Sequence, residues 1–233
     1  MKKQRSLVLK LSFITICTFL VLFSIFIVIS NQYIYYISKQ EQETYINSLS
    51  KTSALLVHEQ FNETISSLEA DRDLIISLYK NGNLTSDALL NYKNEALTAN
   101  TNILGYAIIL NQDDFATIQP EDEAFVNEGF FSTYINRASG SVKIEPLVDA
   151  AGEDWYTKPK ETHSTFIMEP YAYTINGQSV DMVSIAVPIY SNNTFLGVTI
   201  ADFTLDFLDE IVQSHTPESG IQRVLTAQGT IIS

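Results

Sequence analysis

Seven side chains between positions 153 and 202 have the types that hold a cation. Trp155, Tyr156, Tyr171 and Tyr173 can offer ring faces, and Asp202, with Glu153 or Glu169, can offer negative charge. An ammonium group is attracted by both, because the quadrupole of an aromatic ring is negative on its face. Each residue also has a plainer use. Aromatic rings fill cores more often than they line sites. Asp202 stands just before the apolar pair Leu205 and Leu208, where it could cap a short helix. A residue at 202 could do that and still face a cleft.

Catalytic patterns are missing. There is no Gly-rich phosphate loop, no G-x-S-x-G elbow and no H-E-x-x-H helix. His58, His163 and His215 lie far apart and lack ligand spacing. Asp113-Asp114 and Glu121-Asp122-Glu123 lack the Gly and the spacing of a calcium loop. The single cysteine, Cys17, falls in a hydrophobic N-terminal run, so the rest of the chain has no thiolate site and no internal disulfide. The expectation is a binding protein with no catalytic residue, no metal and no cofactor in this segment. A kinase or cyclase activity would belong to an output domain further along the gene.

Charge and hydropathy divide the chain. Residues 1–30 hold four basic side chains (Lys2, Lys3, Arg5, Lys10) and no acid, while the remaining 203 hold ten basic and all 27 acidic ones, a net charge of −17. Such a surface repels nucleic acid and favours cations. Leu11 to Ile29 is uncharged over 19 residues, with only Ser12, Thr15, Thr18 and Ser24 polar. That length suits a hydrocarbon core of about 30 Å, and the hydroxyls can bond back to their own helix. The basic residues precede the run, which places the N-terminus in the cytoplasm and sends the rest outward. A cleaved signal peptide is the rival reading, but its apolar region is shorter and ends in a small-x-small site, for which Val28-Ile29-Ser30-Asn31 is poor.

The elements that must position the site follow. No Pro or Gly occurs from Asn31 to Lys80, and Ile46, Leu49, Ser53, Leu56, Phe61, Ile65, Leu68 and Ile75 recur at helical spacing. One helix reaching roughly 70 Å is expected, ended by Asn81-Gly82-Asn83. Its stripe can pair with a second copy or pack on its own domain. A second helix begins at Thr85 or Ser86 and carries Leu89, Leu90 and Leu97. Strands are expected at 103–110, 142–148, 165–174, 178–190 and 195–203, with turns at Asn176-Gly177 and Ser191-Asn192-Asn193 and a closing helix at 206–213. Strands joined by tight turns imply an antiparallel sheet with helices alongside, an α+β domain. After Pro217-Glu218-Ser219-Gly220, residues 221–233 look like a strand, a turn at Ala227-Gln228-Gly229 and a new strand at 230–233 without a partner. The natural gene is therefore expected to continue.

The stretch Asp154 to Leu208 resembles the double Cache sensor domain of bacterial chemoreceptors and sensor histidine kinases. The resemblance rests on Trp155-Tyr156 with Pro159, Pro170-Tyr171, the Asn176-Gly177 turn, Val187-Pro188-Ile189, and Gly197-Val198 followed by Asp202, Leu205 and Leu208. It implies a PAS-like sheet whose membrane-distal module binds a small molecule. It also implies that amino-acid-binding members place an Arg two residues before the Trp-Tyr pair to grip the ligand carboxylate, and an Asp further on for the amino group. Asp202 matches that Asp. Glu153 stands at the Arg position, and Val148 stands where a Tyr is expected, so the carboxylate half of the site is lost.

The plan that results has a cytoplasmic N-terminus (1–10), a transmembrane helix (11–30), a stalk helix (31–80), a PAS-like ligand-binding module (81–215) and the start of a truncated second module (216–233). The expected function is small-molecule sensing by a receptor in the cell membrane, with an amine or quaternary ammonium ligand and a homodimer formed through the long helix. The alternatives are an amino-acid sensor of the same family, or an exported adhesion ectodomain without a small ligand. Topology is directly testable: protease added to intact cells should digest epitope tags placed after residue 40, and full protection there would refute the orientation.

Overall fold

Helix α1 (Lys2–Lys80) occupies the whole stretch that lacks Pro and Gly. The computed structural model describes residues 2–148, 152–175, 177–217 and 220–231, with side chains from Leu9 onward. The chain divides into two units, residues 1–51 and 52–233. The described residues of the first are all helical. It contains an 18-residue window of mean hydropathy 2.7 with no residue buried, so it is long and apolar enough to cross a membrane. Its hydroxyls bond back to the helix as expected: Thr15 Oγ1 donates to Leu11 O at 3.2 Å and Ser24 Oγ to Leu20 O at 2.8 Å.

In the second unit the remainder of α1 packs on its own domain. Leu68 and Ile75 are fully buried, and the Phe61 ring centroid lies 5.4 Å from that of Phe203. Gly82, at φ +66°, ends the helix in the left-handed conformation that glycine adopts freely, and Asn83 N–H closes on Leu78 O at 2.9 Å. Helix α2 (Ser86–Ala99) is capped by Thr85, whose hydroxyl accepts from Ala88 N–H at 3.2 Å. Ser86 is instead buried and donates to Asp122 at 2.6 Å.

The sheet holds β1 (Gly105–Asn111), β2 (Val126–Asn127), β3 (Phe130–Asn136), β4 (Lys143–Pro146), β5 (Phe166–Ile167), β6 (Tyr171–Ile175), β7 (Gln178–Ser191) and β8 (Thr194–Thr204). All pairings are antiparallel, in the order β2-β3-β1-β8-β7-β5, with β4 added to β3 and β6 to β7. The β7–β8 hairpin turns on Asn192 and Asn193, both at positive φ. Asn176 of the other expected turn lies outside the described residues, as do 218–219 of the linker and the last two residues of the expected final strand. Within 220–231 there is one bridge, Leu225 to Ile231, closed over a turn at Gly229.

Strands β2 and β3, a third helix and two short 3-10 turns at Gln112–Asp114 and Pro120–Phe125 escaped the sequence reading. Strand β3 occupies FFSTYIN, an aromatic and β-branched run that begins directly after the positive-φ Gly129. Helix α3 (Asp154–Thr162) contains Pro159, which argues against a helix by propensity. It survives because it is short and ends four residues on, at His163 in the left-handed region.

The pleat gives the sheet two apolar faces. Tyr106, Ile108 and Leu110 of β1 turn toward α1 and α2, and so do Ile185 and Val187 of β7 and Phe203 of β8. Ala107, Ile109, Ala186, Val198 and Ile200 turn the other way, toward Trp155 and Tyr156 of α3. A bulge opposite Ile189/Tyr190 changes the phase at the start of β8. Gly197 sits beside it, where a Cβ would lie 1.9 Å from Ile109 O.

On the helical face lies a charged pair. Lys93 of α2 and Asp71 of α1 are both buried and bonded to each other, and Tyr92 also donates to Asp71. Lys93 Nζ further reaches Thr199 Oγ1 of β8 at 3.0 Å and stands 4.5 Å from the Tyr106 ring centroid. Burial pulls the Lys93 pKa down and the Asp71 charge opposes that pull. Removing one partner leaves an uncompensated buried charge. Asp71→Ala should therefore lose about 3–5 kcal/mol in urea unfolding of the chain in detergent. Asp71→Leu combined with Lys93→Met should lose clearly less; equal losses would show that the charges are not coupled.

Candidate ligand-binding site

The site grows out of two small residues on the central strand. In register, Gly105 lies between Asn136 and Asp202, and Ala107 lies between Tyr134 and Ile200. On the face turned away from α1 these positions leave a depression. Helix α3 covers it with Trp155, and β6 adds Tyr171 and Tyr173. The resulting cavity has an empty volume of about 270 Å³, part of it open to solvent, lined by Ala107, Tyr134, Leu147, Trp155, Tyr171, Tyr173, Ile200 and Asp202. Gly105 is required by close approach: a Cβ there would sit 2.7 Å from the Tyr134 ring.

Asp202 is the charged member, and it is only 4% exposed. Its cross-strand neighbour Ser184 donates to Oδ1 at 2.5 Å. With that proton committed, the Tyr171 hydroxyl, 2.7 Å from Ser184 Oγ, donates to Ser184. The Tyr134 hydroxyl lies close enough to Asp202 to interact with it, yet it is buried without an aligned hydrogen-bond partner. Burial pushes the Asp202 pKa up from 3.8 to about 6, while Ser184 and Tyr134 hold it down. Burial, with the Asp202 charge, pushes Tyr134, Tyr171 and Tyr173 above the ordinary tyrosine value.

Four of the seven expected residues meet here: Trp155, Tyr171, Tyr173 and Asp202. Tyr156 does not line the cavity. One step round α3 from Trp155, it packs edge-on against Phe130 and Phe195, at 5.9 and 5.5 Å between centroids. Glu153 is exposed at the start of α3, though its charge reaches Tyr171 and Tyr173. Glu169 is half-buried in the loop before β6, with Oε2 buried and unpartnered, and is not a lining residue. The helix-capping role weighed for Asp202 belongs to Thr204, which accepts from Phe207 N–H at 3.3 Å in front of α4 (Leu205–Gln213). Val148 is 65% exposed, and its neighbour Leu147 takes the place in the wall.

Sequence reasoning missed Tyr134, Ser184 and the small pair Gly105 and Ala107. Tyr134 could have been found from the FFSTYIN run. Gly105 and Ala107 matter only through their cross-strand neighbours, which no local pattern displays. Among the described residues no cluster of His, Cys, Asp and Glu is arranged to hold a metal ion, and no described lining residue is basic.

A long antiparallel sheet with helices on one face and a small aromatic cavity under a short helix on the other is the architecture of Cache-type sensor domains. Residues 90–210 match the family model described as "Methyl-accepting chemotaxis protein-like, first PDC sensor domain", and the chain belongs to that family. It is 26% identical over 144 residues to the methyl-accepting chemotaxis protein TlpQ of Pseudomonas aeruginosa, a match covering 53% of this chain and 20% of that protein. The chain thus spans about one fifth of this curated relative. Among solved structures, the extracellular domain of the putative histidine kinase mmHK1S-Z3 has a TM-score of 0.61 at 25% identity, covering 81% of this chain and 69% of the other. The sensory domain of the Campylobacter jejuni chemoreceptor Tlp3, solved with isoleucine bound, shares the fold with a TM-score of 0.50 at 17% identity, covering 81% and 71%.

The raised pKa of Asp202 has a consequence for stability. The folded state holds this proton more tightly than the unfolded chain does, so the contribution is full below about pH 4 and is lost as pH rises through about 6. At pH 7.5 the buried charge then costs on the order of 2–3 kcal/mol. Asp202→Asn should raise the thermal midpoint at pH 7.5, and the gain should shrink toward pH 4. A gain that is absent, or the same at both pH values, would refute the burial cost.

Proposed function

We propose that this domain senses a small amine or quaternary ammonium compound, held by Asp202 within a cage of Trp155, Tyr171, Tyr173 and Tyr134. The observation that carries the reading is one buried carboxylate facing an aromatic cavity in which no described lining residue is basic. A cation entering the cavity would recover the cost of the buried charge and meet ring faces as well. A ligand carboxylate would meet Asp202 and the charge of Glu153 without an Arg to pair with. The whole receptor would sit in the cell membrane through residues 11–30, with its N-terminus in the cytoplasm and this domain outside. Binding would bias the long helix, as a homodimer, by population shift.

Titration calorimetry on the chain in detergent, with a panel of amines and the matching amino acids, tests this. Amines should bind better than the amino acids. Asp202→Ala should cost on the order of 2–5 kcal/mol of binding, and Trp155→Ala should weaken it severely. Affinity should also fall as pH drops below about 6, where Asp202 takes up its proton. Tight binding of ordinary amino acids, with amines inert, would overturn the reading in favour of an amino-acid sensor of this family.

A further inference from the structure

Two polar atoms in the cavity have work left to do. Ser184 occupies Oδ1 of Asp202 at 2.5 Å, and Oδ2 receives no aligned hydrogen bond from a described residue. Across the cavity floor, the Tyr134 hydroxyl is buried beside Asp202, near enough to interact with the carboxylate but without an aligned bond. Its position is held from two sides. The ring stands over Gly105, where a Cβ would lie 2.8 Å from the hydroxyl oxygen. Gly105 is the in-register neighbour of Asp202, so that oxygen sits in the carboxylate's own row of the sheet. The ring also packs edge-on against Tyr173, with 6.4 Å between centroids. A phenol that turns its O–H toward a carboxylate keeps lone pairs with which to accept an N–H from a ligand.

Building on the amine reading above, we infer that Tyr134 is the specificity-determining residue: Asp202 and the Tyr134 hydroxyl together accept N–H bonds from one protonated amine, so the site takes a cation that bears N–H groups and discriminates against a quaternary ammonium. An ammonium group with two or more N–H bonds can donate to Asp202 Oδ2 and to Tyr134 Oη at once. A trimethylammonium group keeps the charge and the ring contacts but donates to neither, and it leaves the acceptor lone pairs of both unused. A site built to bond a ligand N–H rejects the analogue that lacks it far more strongly than an apolar pocket rejects an added methyl.

The test uses the full chain in detergent and four probes: propylamine, ethanolamine and the N,N,N-trimethyl derivative of each. Calorimetry should show the unmethylated probes binding about tenfold or more tighter than their trimethyl forms. In Tyr134→Phe the unmethylated probes should lose about tenfold, while the trimethyl forms change by less than about threefold, so the preference collapses. Ser184→Ala should weaken both forms alike and keep the preference, since its hydroxyl acts on the carboxylate and not on the ligand. A purely steric preference would give the opposite pattern, with Tyr134→Phe raising trimethyl affinity and sparing the unmethylated probes, and this would overturn the inference. Equal binding of all four probes would overturn it while leaving the amine reading intact. Binding of none would overturn both.

Discussion

The buried pair of Lys93 and Asp71 is the constraint around which the second unit is arranged. It joins three elements at one point: Asp71 from α1, Lys93 from α2, and Thr199 from β8, with Tyr106 of β1 against the ammonium. Two charges removed from water tolerate little misalignment. They fix which face of the sheet meets the helices and which residues of β1 and β8 point toward them. The opposite face is thereby assigned to α3 and to the cavity. Alternation does the rest, since each of the two central strands carries a helix-facing residue next to a cavity-facing one, as Thr199 stands beside Ile200 and Tyr106 beside Ala107.

The cavity obeys a second rule, which is subtraction. Gly105 and Ala107 remove side chains from the middle of the front face, and the Tyr134 ring lies over the gap. Into this space the sheet places a carboxylate with its charge largely desolvated. On its own that arrangement is unfavourable, and it is offset by apolar packing elsewhere in the sheet. Binding sites commonly hold such groups, because a charge that is poorly solvated without ligand gains most when a partner arrives.

Much of this was legible in the residues. The uncharged run, the absence of Pro and Gly up to Asn81, the Thr85 cap, the Asn192-Asn193 turn and the strands it joins at β7 and β8 are local signals, and each element lies where its signal put it. Trp155, Tyr171, Tyr173 and Asp202 were recognisable as a set from types and order. Tyr156 was not separable from Trp155 in the chain. Adjacent residues on a helix point about 100° apart, and only the placement of α3 on the sheet decides which of them meets the cavity.

What the sequence determined by itself is whatever depends on neighbours along the chain: helix length, caps, turns, strand period and the segregation of charge. What the tertiary structure alone decided depends on neighbours across strands. Tyr134 and Asp202 are 68 positions apart in the chain, yet antiparallel pairing through Gly105 and Ala107 brings them to one cavity. Ser184 reaches Asp202 only through the β7–β8 register. Register is a collective property of the sheet, set by the packing of both faces, and no single stretch of residues contains it.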